Sequence, residues 1–267
     1  MAEQLRELID EQVRELLVHG EVALADEDPE GVHQLRVAVR RLRAVLKSWS
    51  VGGELRAELR WFFGELGPVR DLDVLLDRFR ADTAGFSADE LAAVERLLTG
   101  LVAERERARR RAAKALRSKR HARLLTALGA ATSGARTTTV DPVAEIAKPH
   151  RRLRAAVEAM GPDPADQELH DLRILGKKLR YAAELAGKAA KPLVKATKEL
   201  QDLLGEHQDS CIAETRLRGL LTEVRPADEA FVAGRLVERE RTRQAAVRAT
   251  WRDAYVAVDE QASAATA

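Results

Sequence analysis

Cysteine occurs once, at Cys211, so no internal disulfide can form, and a single thiol is what a reducing compartment tolerates. A cytoplasmic location is expected. Aromatic residues make up only 4% of the chain, and no stretch alternates apolar and polar residues as a half-buried strand does, which argues against a β-sandwich. Long apolar runs are missing too. The longest stretch without Asp, Glu, Lys or Arg runs from Leu124 to Ala135, 12 residues, against the roughly 20 that a membrane span needs. The start, Met1-Ala2-Glu3-Gln4-Leu5-Arg6, lacks the apolar core of an export signal, so neither export nor membrane insertion is expected. An excess of one charge is also absent: 45 basic residues face 43 acidic ones, a net charge of +2. Any polyanion must therefore be met by local segregation of charge rather than by a global field. Lysine is scarce, 10 of the 45 basic residues, and six of those ten fall between Lys177 and Lys198.

What is present is helical. Apolar residues recur at helical spacing, as in Leu5, Leu8, Ile9, Val13, Leu16 and Leu17, and again in Leu91, Val94, Leu97, Leu98 and Leu101. With 45% hydrophobic and 33% charged residues, this predicts an ordered, all-α protein of about ten long amphipathic helices. Turn and capping residues place breaks at Asp28 to Gly31, Gly52-Gly53, Gly67-Pro68, Ala84 to Ser87, Gly129 to Pro142, Gly161 to Pro164, Gly187, Gly205 and Arg225-Pro226. The stretch 129–142, rich in Ala, Thr, Ser and Gly, is the expected linker between a helical half at 1–128 and another at 143–260. Residues 261–267 are expected to form a disordered tail.

The two halves repeat each other. His33-Gln-Leu-Arg36-Val-Ala-Val-Arg40-Arg41-Leu-Arg43 aligns with His170-Asp-Leu-Arg173-Ile-Leu-Gly-Lys177-Lys178-Leu-Arg180. Leu66-Gly67 followed by Asp71 aligns with Leu204-Gly205 followed by Asp209, and Glu104-Arg-Glu-Arg107 with Glu238-Arg-Glu-Arg241. Three matches in the same order point to duplicated helical units.

Rotation of roughly 100° per residue brings His33, Arg36, Arg40, Arg43 and Lys47 onto one narrow face. Leu35, Val39, Leu42 and Leu46 lie on the adjoining side, so the cationic stripe borders the buried face and is expected to look into a cleft. The second copy repeats the stripe with His170, Arg173, Lys177 and Arg180, and Glu184 stands where the first has Lys47. The following helices add Arg56 and Arg60 in one half and Lys191, Lys195 and Lys198 in the other, each set at spacings of three or four. Like charges so spaced destabilise an isolated helix and call for a counter-charge. From His33 to Lys47 the stripe spans roughly 21 Å, a length suited to a linear polyanion, with arginine forks and mobile lysine charges tolerating variable register. Asp71 and Asp209 would repel such a ligand and are expected to orient neighbouring side chains or cap a helix.

These motifs resemble those of the CHAD domains: His33, Arg36 and Arg40-Arg41-Leu42-Arg43 in one half, His170, Arg173 and Lys177-Lys178-Leu179-Arg180-Tyr181 in the other, with Leu-Gly-x-x-x-Asp after each. The resemblance covers about residues 5 to 258. It implies two homologous four-helix bundles related by pseudo-twofold symmetry, which bind inorganic polyphosphate in a basic central cavity without catalysis. It carries the binding role to His33, Arg36, Arg40, Arg41, Arg43, His170, Arg173, Lys177, Lys178 and Arg180, and extends it to Arg56, Arg60, Arg120, Lys191, Lys195 and Lys198; Lys47 joins the expected set by its place on the stripe. Polyphosphate or storage granules are the expected setting, with granule components as partners.

Other readings fit less well. The Glu-x-Glu-x-Lys signature of a triphosphate-hydrolysing tunnel domain is approached only by Glu104-Arg-Glu106-Arg-Ala108 and Glu238-Arg-Glu240-Arg-Thr242, which lack the lysine. A metal held by His170 and Asp171 would be repelled by Arg173 and Lys177, so neither metal nor cofactor is expected. Nucleic acid is the alternative ligand, because any basic groove attracts a phosphate backbone, but single-strand binders stack bases on aromatic platforms and this chain has few aromatics. The run Arg105, Arg107, Arg109, Arg110, Arg111, Lys114 and Arg117 is read as a solvated helix face.

Overall fold

The computed structural model describes residues 2–25, 30–48, 53–130, 142–222 and 225–266. Its elements are α1 (Ala2–Ala25), α2 (Glu30–Ser48), α3 (Gly53–Ala81), α4 (Ala88–Leu116), α5 (Lys119–Ala130), α6 (Pro142–Ala159), α7 (Asp166–Leu185), a 3-10 turn (Lys188–Ala190), α8 (Lys191–Leu220) and α9 (Ala227–Thr266). The fold is all-α, with no strand among the described residues. No helix among them is long and apolar enough to cross a membrane.

Several boundaries follow from local chemistry. Before α4, Ser87 and Glu90 form a capping box: the Ser87 amide donates to Glu90 Oε2 at 2.6 Å and the Glu90 amide to Ser87 Oγ at 3.3 Å. Gly85 and Gly187 take left-handed φ values of 74° and 84°, which other residues rarely adopt, at the turns after α3 and α7. Two expected breaks do not occur. Helix α3 passes through Gly67-Pro68 and α8 passes through Gly205. An interior proline costs roughly 3 kcal/mol. The neighbouring Leu66, Val69 and Leu72 are buried, and burying each such side chain contributes roughly 1.5–3 kcal/mol, enough to carry the helix through.

The chain divides into two units, one of residues 1–86 and 94–138 and the other of 87–93 and 139–267. In the first, Ile9 and Leu16 of α1, Leu35, Val39, Leu42 and Leu46 of α2, Leu59, Phe62, Leu66 and Val69 of α3, Leu97 and Leu98 of α4, and Leu128 of α5 are fully or nearly fully buried. The ring of Phe62 stacks on His121 of α5 at 4.6 Å between centroids. In the second, Leu153 of α6, Leu169, Leu172 and Leu179 of α7, Leu193, Leu200 and Leu204 of α8, and Val247, Trp251 and Val258 of α9 form the core. The expected linker is shorter at its start: α5 continues through Gly129 to Ala130, α6 begins at Pro142, and residues 131–141 lie outside the described residues. The expected tail is instead helical. Helix α9 runs to Thr266 because Ala262 is fully buried and continues its apolar face.

Candidate functional site

Each unit carries a cationic helix face seated on the helix that follows it. In the first unit, Leu35, Val39, Leu42 and Leu46 are buried, and their packing directs the adjoining face of α2 toward α3. Arg36 lies along this seam with its side chain only 20% exposed. Its Nη2 stands 3.6 Å from Asp71 Oδ1, and its guanidinium lies 4.3 Å from the centre of the Phe63 ring. Arg43 approaches the same ring at 5.8 Å. The repeated glycine explains how Arg36 fits. A Cβ at Gly67 would stand 2.9 Å from Arg36 Nη1, so only glycine leaves room for the guanidinium in its present position.

The second unit repeats the arrangement. A Cβ at Gly205 would lie 3.4 Å from Arg173 Nε and 3.6 Å from its Nη2. The apparent helix breaks are thus notches for arginines. Farther along α7, Tyr181 is flanked by Lys177 at 6.0 Å and Arg180 at 5.3 Å from its ring centre. Glu184 lies 3.4 Å from Arg180 Nε and partly answers its charge.

The electrostatics of these faces are under-compensated. Burial lowers the Arg36 pKa, and Arg40 and Arg70 lower it further, while Asp71 opposes them without restoring the ordinary value. Arg56 Nε, His170 Nδ1, Arg173 Nε and Arg180 Nε are buried without a hydrogen-bond partner among the described residues. Native proteins pair the great majority of such groups. Arg56 Nε and Arg173 Nε are donors suited to an anion's oxygens, as is His170 Nδ1 when it carries a proton, while Arg180 Nε has only the 3.4 Å approach of Glu184.

Other expected residues stand differently. Arg40, Arg41, Arg60 and Lys178 are exposed, His33 is half-buried, and Lys47 belongs to α2 but its side chain lies outside the described residues. Lys191, Lys195 and Lys198 are exposed on α8, where Lys195 approaches Glu199 at 3.9 Å and Lys198 donates to Asp202 at 3.1 Å. Asp209 is exposed on the same helix. Arg120 forms a two-pronged pair with Glu58, at 2.6 and 2.9 Å, and its guanidinium lies 4.0 Å from the centre of the Trp61 ring. Its charge is already answered. Sequence reasoning missed Phe63 and Arg70. Their signal was position: Phe63 lies four residues before Gly67, and Arg70 directly precedes Asp71.

The basic run on α4 presents a separate surface in the first unit. Arg107, Arg110, Arg111 and Lys114, with Glu104, border a shallow concavity of about 400 Å³. Another, of about 610 Å³, includes Leu24, Arg109, Lys114 and Arg117. Glu106 holds Arg109 at 2.9 Å and Arg110 at 3.0 Å, a local pairing consistent with a solvated helix.

Residues 7–218 match the CHAD domain family. Two uncharacterized proteins from strains of Mycobacterium tuberculosis are each 31% identical to this chain over 262 residues, covering 90% of it. The chain spans 50% of the length of these relatives. The crystal structure of the CHAD domain from the plant Ricinus communis is similar, with a TM-score of 0.68 and 28% identity, over 94% of this chain and 91% of that one. PptA from Streptomyces chartreusis shares the fold, with a TM-score of 0.69 and 22% identity, over 96% of this chain and 99% of that one.

Proposed function

The chain belongs to the CHAD domain family, and from that premise we propose that it binds inorganic polyphosphate through the cationic faces of α2 and α7. The observation that carries this reading is the repeated arginine notch, Arg36 against Gly67 and Arg173 against Gly205. Each notch holds a guanidinium at a semi-buried position where protein carboxylates do not fully compensate it. Phosphate oxygens supply the missing acceptors, and the guanidinium fork meets them in pairs. Arg36, Arg40, Arg43 and Arg56 in the first unit, and His170, Arg173, Lys177 and Arg180 in the second, form the proposed binding set. His33, Arg41, Arg60, Lys178, Lys191, Lys195 and Lys198 contribute attraction from more exposed positions. Arg120 lies outside the set.

The module acts by binding, without catalysis, and serves to bring its chain to polyphosphate granules or to organise them in the cytoplasm. A ligand without bases suits the site, because the faces of Phe63 and Tyr181 are approached by arginine and lysine side chains rather than standing open for base stacking. The deciding experiment is a competition titration of long-chain polyphosphate against single-stranded DNA and RNA of equal charge at fixed ionic strength. Polyphosphate is expected to displace both nucleic acids, whereas preferential retention of DNA or RNA would replace polyphosphate with nucleic acid as the ligand.

A further inference from the structure

Away from the cationic faces, the start of α7 and the middle of α8 bring a carboxylate, an imidazole and a thiol together. One donor atom from each of Asp166, His207 and Cys211 lies within 4.8 Å of the other two. His207 Nε2 is 3.4 Å from Asp166 Oδ1, and Cys211 Sγ is 3.7 Å from His207 Nδ1. Donors around a tetrahedral zinc ion stand roughly 3.5 Å apart, given metal–ligand lengths of about 2.0–2.3 Å. Small side-chain movements would therefore bring the set around one ion. His207 and Cys211 lie four residues apart on α8, one helical turn, so the backbone holds two of the donors on one side.

His207 is the observation that makes this more than a chance cluster. Its side chain is only 1% exposed, yet Nε2, the nitrogen facing Asp166, has no hydrogen-bond partner among the described residues. A buried polar atom left in this way is costly. We propose that Asp166, His207 and Cys211 bind a divalent zinc ion, with His207 Nε2, a carboxylate oxygen and the Cys211 thiolate as protein ligands and water in the fourth position. Mixed nitrogen, sulfur and oxygen donors suit zinc rather than magnesium or calcium, which favour oxygen alone. The exposed Asp166 carboxylate and part-exposed Cys211 give an ion and its water access from solvent.

The surroundings are compatible with this site. Burial lowers the His207 pKa, Arg248 adds to the shift and Asp166 opposes it, favouring the neutral imidazole that metals bind. The Cys211 thiol is pushed up to about 11, by burial first and then by Asp166, so it carries its proton at neutral pH and releases it to solvent when the ion binds. Arg248 brings an opposing charge into contact with the set, through Asp166 Oδ1. It is also anchored on the preceding loop, donating to Asp163 Oδ1 at 3.0 Å and to the Pro164 carbonyl at 2.6 Å. Metal-bound carboxylates commonly accept such an outer hydrogen bond. The ion would tie the beginning of α7 to α8, and this site is independent of polyphosphate binding.

The test uses the full, reduced, untagged chain in phosphate-free buffer, titrated with Zn²⁺ against a chromophoric chelator and separately with Co²⁺. One ion per chain is expected, and the Co²⁺ form should show a thiolate-to-metal charge-transfer band in the near ultraviolet. Cys211→Ser should abolish that band, and Cys211→Ser and Asp166→Asn should each weaken Zn²⁺ binding roughly tenfold or more. Zinc should raise the unfolding midpoint of the parent chain by more than that of Cys211→Ser. Both substitutions are at accessible positions, which keeps the test decisive even where replacing buried His207 prevents folding. No zinc uptake, a Co²⁺ spectrum without the thiolate band, or uptake unchanged in both variants would overturn the site.

Discussion

Arg36 and Gly67 meet so closely that the smallest added side-chain atom, a Cβ at 67, would stand 2.9 Å from the arginine Nη1. The contact links a stripe on α2 to a glycine on α3 that looked like a helix break. It also separates stability from binding. Replacing an interior glycine by alanine favours the helix by roughly 0.8–1 kcal/mol. The overlap falls on the far end of a flexible arginine, which can move at little cost but loses its notch.

Gly67→Ala is therefore expected to leave stability unchanged or slightly raised while weakening polyphosphate binding several-fold. Gly205→Ala, with the looser 3.4 Å approach to Arg173 Nε, should have the smaller effect on binding. Urea unfolding and a binding titration on both variants check the pair. Unchanged affinity in Gly67→Ala would remove the notch from the binding mechanism.

Replacing Arg40 and Lys177 together by Glu should abolish polyphosphate binding and leave the far-ultraviolet circular dichroism unchanged, because Arg40 is exposed and Lys177 half-buried on helix faces. Binding retained near the parent value would show that the stripes are not the contact surface.

Polyphosphate affinity should fall steeply with salt, since each neutralised phosphate releases condensed counterions. Arg36→Gln should lower the slope of log affinity against log salt by about one, the signature of one lost phosphate contact. An identical slope with lower affinity would assign Arg36 an indirect role.

Arg120→Ala separates a structural arginine from the binding set. Removing its paired contacts with Glu58 and its ring contact with Trp61 should lower stability, while polyphosphate affinity stays within about twofold of the parent. A large affinity loss with unchanged stability would return Arg120 to the site.

Asp259 supplies a pH test in the second unit. Burial pushes its carboxyl upward, but hydrogen bonds from His150 and Arg154 more than offset this and leave its pKa below the ordinary value. A carboxyl depressed in the fold stabilises it above the unfolded-state pKa, and that contribution is lost as pH falls through the folded value. Asp259→Asn should therefore destabilise the chain at neutral pH, with the difference shrinking as the medium becomes acid below about pH 4. Denaturant unfolding across that range measures it, and a gap that stays constant with pH would exclude the carboxylate's charge as the cause.

Periodicity identified an all-α chain and the burial of Leu35, Val39, Leu42 and Leu46 beside a cationic stripe, and alignment of the sequence on itself identified the repeated motifs. These features are local, because helical spacing determines which residues share a face. Interactions between elements were not legible in the same way. Glycine is a weak helix former wherever it stands, so spacing could not distinguish Gly67 and Gly205 as notches from breaks; the arginine beside each comes from another helix. Nor could composition tell Arg120, whose charge is answered by Glu58 on α3, from the arginines of the stripe. The same limit hides the neighbours of Cys211, since Asp166 lies on another helix and only folding brings its carboxylate beside His207. Along one helix, turn geometry determines neighbours; between helices, packing selects which of many similar charges meet and which remain available to a ligand.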